Sequence, residues 1–278
     1  MKELTTRALS GLLFAIILIG ALQLKYACIA LFFIFGLTCL SEFNKLIHQK
    51  NTASYFIFIV LFLTVAFWDT LFKSENSLSD ISQILLVISL LVNLLLIRDL
   101  FSSKSLPTLL SNHFINTTFY VSSGFVFLLL IALNFKKYSP DIIMYIFILI
   151  WINDSFAYII GKNFGKQKLF ESISPKKTVE GFLGGVFFAA LGSYVIANYT
   201  DSLLFTHWLI ISVIVSIFGT LGDLVESKYK RQAGVKDSGK IMPGHGGLLD
   251  RLDSAIFASP FIYLFFNHTY FKNKQMCK

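Results

Sequence analysis

The densest group of reactive side chains in this sequence lies at residues 227–253, between two long apolar runs. These 27 residues include six Lys or Arg, three Asp, one His and five Gly. Basic side chains bind phosphates, and carboxylates together with phosphates bind hard cations such as Mg²⁺. Glycine lets backbone N–H groups approach an anion closely. The composition of this charged run therefore predicts a phosphate and metal site.

Acidic residues flank the charged run in two pairs. Asp223 and Glu226 precede it, and Asp250 and Asp253 end it, so each pair lies three residues apart on one face of a helix. Asp223 and Asp250 are the first candidates for binding a hard cation, and Glu226 and Asp253 are further candidates. Two alternatives stay open. The role of Asp250 could be no more than capping a helix. Asp223 and Glu226 could instead form ion pairs with a nearby lysine.

Within the charged run, a glycine turn and the basic residues indicate phosphate contact. Residues 244–247 place three glycines around His245, a composition that a tight turn into a helix would share. His245 is a candidate general base or a positioning group. The predicted catalytic residues are Asp223, Asp250, Lys236, Arg251 and His245. The predicted substrate-binding residues of the run are Lys230, Arg231, Lys240, Gly246 and Gly247.

Two further polar groups lie outside the charged run. Asn153 and Asp154 interrupt an apolar stretch. A carboxylate inside a membrane segment is typical of a functional site. The alternative is a structural hydrogen bond to a neighbouring helix. Lys176 and Lys177 precede another apolar stretch, where they would either bind an anion or anchor the segment at a membrane surface. We include all four among the predicted substrate-binding residues.

Long apolar segments must position these side chains. The chain is 55% hydrophobic and only 14% charged, whereas soluble domains carry about 25% charged residues. Nine apolar runs approach the length that a membrane helix needs: 8–24, 26–42, 55–72, 81–98, 118–134, 141–160, 181–198, 207–225 and 251–267. The sequence thus predicts an all-α, polytopic integral membrane protein with about nine transmembrane helices. Residues 1–115 and 116–278 are its N-terminal and C-terminal parts, in one continuous membrane unit.

The charge pattern predicts the orientation and excludes other classes. With a cytoplasmic N-terminus, 17 of the 24 Lys and Arg fall on the inner side, which places the loops 161–180 and 226–250 in the cytoplasm. Because the net charge of +8 resides in loops between membrane segments, we expect no nucleic-acid partner. The three cysteines form no pair with the spacing of a zinc site or a disulfide framework.

The charged run resembles the signature of the phosphatidate cytidylyltransferase family, also called the CDP-diacylglycerol synthases. The matching residues are Ser227, Lys230, Arg231, Lys236, Asp237, Gly239, Pro243, His245, Gly246, Gly247, Asp250, Arg251 and Asp253, joined by Asn153, Asp154, Ala157, Tyr158, the residues 174–178, Glu180, Gly181, Gly222 and Asp223. The resemblance covers the C-terminal half, whereas the N-terminal helices share only their apolar character. Tyr229 and Met242 depart from the family pattern at positions that carry no chemistry.

The resemblance implies the reaction, the cofactor and the setting. CTP and phosphatidate would give CDP-diacylglycerol and pyrophosphate, with a metal pair that includes Mg²⁺ on Asp223 and Asp250 and with K⁺ as a candidate second cation. It also implies a homodimer. We expect the protein in the bacterial inner membrane, with its site facing the cytoplasm as the charge pattern predicts. Two alternatives are a CTP-dependent lipid-alcohol kinase and, less favoured because the sequence shows no repeated halves, a transporter.

Overall fold

The computed structural model describes residues 2–50, 52–72, 75–102, 106, 113–133 and 138–271. Seven lysines are predicted on the outer side, and six of them, at positions 73, 136, 137, 272, 274 and 278, lie outside these ranges. The helices are α1 Lys2–Leu22, α2 Lys25–Leu46, α3 Ala53–Ala66, α4 Trp68–Leu71, α5 Glu75–Leu100, α6 His113–Asn116, α7 Ser123–Leu133, α8 Pro140–Phe164, α9 Val179–Tyr199, α10 Phe205–Gln232 and α11 Leu249–Phe266. A π-helical turn, Thr117–Ser122, joins α6 to α7, and a second, Asn267–Phe271, follows α11.

The architecture confirms the all-α membrane prediction. Among the described residues, six helical stretches are long and apolar enough to cross a bilayer: Lys25–Leu46, Asp80–Leu100, His113–Leu133, Pro140–Phe164, Val179–Tyr199 and Phe205–Gln232. Two apolar helices are shorter, Leu9–Leu22 and Ala53–Ala66. The last predicted span corresponds to α11, whose first five residues include three charged side chains. The count of nine is therefore not confirmed. The boundary proposed between residues 115 and 116 falls inside the helical stretch His113–Leu133.

Helices α7 and α11 form the centre of the bundle. Nearly every side chain of both helices is buried, as expected for helices that are apolar on all sides. Pro260 interrupts the hydrogen bonding of α11, because it has no N–H to donate to the carbonyl of Ile256. The Ser259 hydroxyl lies 3.0 Å from that carbonyl oxygen and 2.9 Å from the carbonyl oxygen of Gly124 on α7. This hydroxyl therefore compensates for the proline and links the two central helices.

Glycines allow the helices that carry polar residues to approach closely. A Cβ on Gly185 of α9 would lie 2.7 Å from Oδ1 of Asn153 on α8. A Cβ on Gly222 of α10 would overlap Phe257 and lie 3.0 Å from the carbonyl oxygen of Asp253, both on α11. Small residues at helix crossings are typical of membrane proteins. Here they bring the acidic residues of α10 and α11 together.

The loop between α8 and α9 folds into a short hairpin. Strand β1, Lys168–Phe170, pairs antiparallel with β2, Ser174–Thr178, so Lys176 and Lys177 lie on a strand. The side-chain oxygen of Thr178 caps α9 by accepting a hydrogen bond from the Gly181 N–H at 3.1 Å. The hairpin is thus fixed to the start of α9, and it holds its lysines beside the helix bundle.

Candidate functional site

A cavity of about 1010 Å³ collects most of the predicted site residues. The hairpin and the loop 237–249 meet there with α1, α8, α10 and α11, so the two predicted loops lie at the same end of the bundle. The predicted residues that line it are Asn153, Asp154, Lys176, Lys177, Asp223, Lys230, His245, Asp250, Arg251 and Asp253. Its wall also includes apolar side chains, among them Phe14 of α1 and Trp151 of α8. The cavity can therefore contact both charged and apolar parts of one molecule.

Three carboxylates form a compact cluster beside the cavity. One oxygen from each of Asp223, Glu226 and Asp253 lies within 4.8 Å of the others. Glu226 is fully buried, and its Oε1 has no hydrogen-bond partner among the described residues. A buried carboxylate oxygen without a partner is costly. The donor set therefore fits a hard divalent cation, which takes oxygen ligands of this kind.

Two lysines pair with the acids of α10 and α11. Nζ of Lys177 lies 2.7 Å from Oδ2 of Asp223, and this pair is partly exposed to the cavity. Nζ of Lys230 lies 2.5 Å from Oε2 of Glu226 and 2.6 Å from Oδ1 of Asp250, with its side chain only 10% exposed. With Asp253, the carboxyl groups of these two helices outnumber the lysines that pair with them, which suits a site for a divalent cation.

Asp250 organises the loop that precedes α11. Its Oδ2 accepts hydrogen bonds from the N–H of Gly247 at 2.7 Å, from the N–H of Ser238 at 2.9 Å and from the hydroxyl of Ser238 at 3.0 Å. Asp250 does not cap α11, because its carboxylate reaches back to N–H groups that precede the helix. With Lys230 on Oδ1, both oxygens of Asp250 have protein partners.

His245 lies at the edge of the cavity and contacts α1. Its Nδ1 is 2.6 Å from Oγ of Ser10, which also donates to the carbonyl oxygen of Pro243 at 3.0 Å. The carbonyl oxygen of His245 accepts from Nη2 of Arg251 at 3.0 Å. These contacts hold the glycine turn against α1 and position both side chains at the cavity.

The remaining predicted residues lie around the cavity and do not line it. Lys236 and Lys240 are exposed on the loop. Arg231 donates to the carbonyl oxygens of Ile173 and Val235 at 3.3 and 3.1 Å, and so joins the hairpin to the loop. Gly246 has a φ of 89°, a conformation that favours glycine, and its carbonyl oxygen accepts from the N–H of Met242 at 2.9 Å. Gly247 donates its N–H to Asp250, and Glu226 belongs to the carboxylate cluster.

The structure adds polar residues that sequence reasoning missed. Glu42 of α2 is buried, with 2% of its surface exposed, beside Ser238 and the start of α11. Asp237, which matches the family signature but had no predicted role in the site, also lines the cavity. Glu42 ends the apolar run 26–42, and an acid at the end of a membrane segment is a signal that could have found it.

Asn153 and Asp154 face the cavity from α8. Nδ2 of Asn153 donates to Oδ1 of Asp154 at 3.1 Å, and Oδ1 of Asn153 is buried without a partner among the described residues. The side chain of Asp154 is exposed to the cavity although it lies ten residues before the end of its helix. A polar cavity that penetrates the bundle explains how this carboxylate is tolerated.

Comparison with known proteins shows the family to which this chain belongs. The model of the cytidylyltransferase family matches residues 5–269 and so extends the resemblance into the N-terminal helices. The phosphatidate cytidylyltransferase of Staphylococcus aureus (strain COL) is 45% identical over 145 residues, which cover 51% of this chain and 54% of that protein. The phosphatidate cytidylyltransferase of Bacillus subtilis (strain 168) is 47% identical over 131 residues, covering 47% and 49%. The chain therefore spans about half the length of the curated relatives it matches. Since the family match covers nearly all of its residues, this integral membrane protein belongs to the cytidylyltransferase family.

Proposed function

We propose that this protein transfers CMP from CTP to phosphatidate, giving CDP-diacylglycerol and pyrophosphate for phospholipid synthesis. The observation that carries the proposal is the single cavity in which lysines, clustered carboxylates and apolar walls meet. A nucleoside triphosphate together with a phospholipid needs a binding surface that has both charged and apolar parts. The printed names of the two relatives, both phosphatidate cytidylyltransferases, support the same substrates.

The nucleophile in this reaction is an oxygen of the lipid phosphate. It forms a new bond to the α-phosphorus of CTP, and the bond to the β-phosphate breaks, so pyrophosphate leaves with the electron pair. A phosphate monoester has a second pKa of about 6 and is mostly a dianion at neutral pH, so it needs no general base. The main barrier is the approach of two polyanions.

The basic residues of the cavity lower this barrier. Lys176 and Lys177 on the hairpin and Arg251 on α11 line the cavity, where they can neutralise the phosphates of CTP and lipid. Lys177 contacts Asp223, so a phosphate bound by this lysine would lie next to the acidic cluster. Such positioning and charge neutralisation provide most of the catalysis in phosphoryl transfer generally.

Mg²⁺ fits the acidic cluster. Asp223, with Glu226 and Asp253, would hold it, and the partnerless Oε1 of Glu226 supports this. Asp250 stays a predicted ligand, although its oxygens contact Lys230, Ser238 and Gly247 in the structure. When bound, the cation neutralises phosphate charge and helps align the reacting groups. K⁺ remains a candidate second cation.

Labelled substrates distinguish this function from its alternatives. Purified protein is incubated with Mg²⁺, with either phosphatidate or diacylglycerol, and with CTP that carries one label in cytidine and another in the γ-phosphate. We expect the cytidine label in the lipid product and the γ-phosphate label in pyrophosphate. Transfer of the γ-phosphate to diacylglycerol would instead establish a lipid kinase. No turnover with either lipid would favour a transporter.

His245→Gln is expected to keep measurable turnover, because the lipid phosphate is already ionised and His245 positions the loop. The rate of the variant should still rise with pH through a value of about 6, where the phosphate becomes a dianion. Steady-state rates between pH 5 and 9 provide the measurement. A loss of about 10²–10⁴-fold, together with the disappearance of one limb of the pH profile, would show that His245 is a general base.

We also propose that the cavity opens to the cytoplasm of a bacterial cell, where CTP is available. Single cysteines at the exposed positions Ser172 and Asp201, with Cys28, Cys39 and Cys277 replaced, report the sidedness. In intact cells an impermeant thiol reagent should label only Asp201→Cys, and after lysis it should label both. Labelling of Ser172→Cys in intact cells would invert the orientation.

The homodimer implied by the family resemblance is a further proposal. The mass of the detergent-solubilised protein measures it, after the mass of bound detergent has been subtracted. A monomeric mass over the whole range of concentrations at which the enzyme is active would contradict it.

A further inference from the structure

A buried carboxylate from the N-terminal helices holds the catalytic loop. Oε1 of Glu42 accepts a hydrogen bond from the N–H of Leu248 at 3.2 Å, and Oε2 accepts one from the N–H of Leu249 at 2.8 Å. Oε2 also lies 3.2 Å from the Ser238 hydroxyl. These partners lie about two hundred residues later in the chain, at the start of α11. A helix start leaves N–H groups without partners inside the helix, and a carboxylate there satisfies them and interacts favourably with the helix dipole.

Two glycines of the loop are explained by the same carboxylate. A Cβ on Gly239 would overlap Oε1 of Glu42, and a Cβ on Gly247 would lie 2.6 Å from Oε2 of Glu42 while overlapping the Ser238 hydroxyl. Neither glycine has a positive φ, so close approach explains them rather than backbone conformation. The loop is thus packed around Glu42, with no space for a side chain at either position.

Glu42 and Asp250 both hold the loop. The Ser238 hydroxyl lies within hydrogen-bond distance of both carboxylates, at 3.2 Å from Glu42 and 3.0 Å from Asp250. The Gly247 N–H binds Asp250, whereas the next two N–H groups bind Glu42. A displacement of this loop would therefore move Asp250 and, through it, Lys230.

We propose that Glu42 is a positioning residue for cytidylyl transfer. It fixes the loop 237–249, and this keeps Asp250, Arg251 and His245 in position at the cavity. This inference rests on the proposed function. It gives the N-terminal helices a direct part in the site, although Glu42 does not line the cavity and touches no substrate.

Glu42→Gln tests the role with almost no change in volume. Glutamine has one acceptor oxygen, so its amide N–H₂ would face one of the two backbone N–H groups. We expect kcat to fall about 100-fold, the scale of a misplacement of about 1 Å at a reacting centre. The KM for CTP should change less than about threefold, because Glu42 bonds to Ser238, Leu248 and Leu249, whereas Lys176 and Lys177 lie on the hairpin.

Asn44→Ala is the matched control. Asn44 lies on the same helix, is equally buried and donates to Oγ of Ser54 at 3.0 Å, away from the loop. Its kcat should stay within about twofold of wild type, even if the Tm falls as much as in Glu42→Gln. An equal loss of kcat in both variants would show that Glu42 contributes only to the general stability of the helix bundle. An unchanged kcat in Glu42→Gln would overturn the proposal.

Two measurements that do not depend on enzyme activity test the contact between Glu42 and the loop. In hydrogen exchange, the peptide containing Leu248 and Leu249 should exchange faster in Glu42→Gln than in wild type or Asn44→Ala. Gly239→Ala should lower the Tm of wild type more than that of Glu42→Ala, where the overlap is relieved. Equal effects in the two backgrounds, or unchanged exchange, would show that the contact is absent. A wild-type protein without cytidylyl transfer would instead refute the proposed function alone.

Discussion

Asp223→Asn is expected to abolish cytidylyl transfer, with a loss of kcat of at least about 100-fold, or about 2.7 kcal/mol of barrier. The change is nearly isosteric, and Oδ1 can still accept the 3.1 Å hydrogen bond from the Ser227 hydroxyl. What disappears is a negative charge in the acidic cluster and the ion pair with Lys177. The variant should therefore fold but bind a divalent cation poorly.

Mg²⁺ binding provides a second measurement for this variant. A ligand that binds only the folded state raises its stability, so the Tm of wild type should rise with Mg²⁺ concentration, and that of Asp223→Asn should rise much less. Asp141→Asn, an exposed acid in the first turn of α8, is the control and should match wild type in rate and in the Mg²⁺ response. Retention of more than about one tenth of the rate would refute the metal assignment.

Asp250→Asn is expected to cause a comparable loss of activity together with a lower Tm. Asparagine has one acceptor oxygen, whereas Asp250 uses Oδ2 for Ser238 and Gly247 and Oδ1 for Lys230. Either the loop loses its acceptor, or an amide N–H₂ faces a buried ammonium group. Removing one partner of a buried ion pair typically costs about 3–5 kcal/mol. The rate and the Tm are measured on the same preparation.

The Mg²⁺ response of Asp250→Asn separates two roles. If Asp250 is a metal ligand, Mg²⁺ should no longer raise the Tm of the variant. If it acts only through Lys230 and the loop, the Mg²⁺-dependent rise should persist on a lower baseline. Full activity would show that neither the charge of Asp250 nor its contacts with Ser238, Gly247 and Lys230 are needed for cytidylyl transfer.

Most of the membrane architecture could be predicted from local sequence. Apolar runs such as 141–160 and 181–198 need no partner to be recognised, because bilayer backbone must satisfy its own hydrogen bonds within a helix. The central position of α11 was harder to predict, since its charged first turn and proline obscure the apolar pattern. The hairpin 168–178 was not predicted either, because two short polar strands carry a weak signal in isolation.

The chemical character of the site also followed from the sequence. Lysines, carboxylates and glycines at 227–253 indicate phosphate and metal chemistry wherever they fold, since ligand preference depends on atom type and charge. Helical spacing alone placed Asp223 and Glu226 on one face. That Lys177 would reach Asp223 from the hairpin depended on folding, because the two residues are separated by a full membrane helix.

Only the tertiary structure decided which carboxylates form the acidic cluster and which hold the loop. Glycine contacts between α10 and α11 bring Asp253 to Asp223 and Glu226, whereas Asp250 turns toward backbone N–H groups. Glu42 reaches the same loop from a helix about two hundred residues away. Sequence specifies which groups can ionise and bind, since that property belongs to each side chain. Their partners depend on which helices cross, and this is settled by packing over the whole bundle.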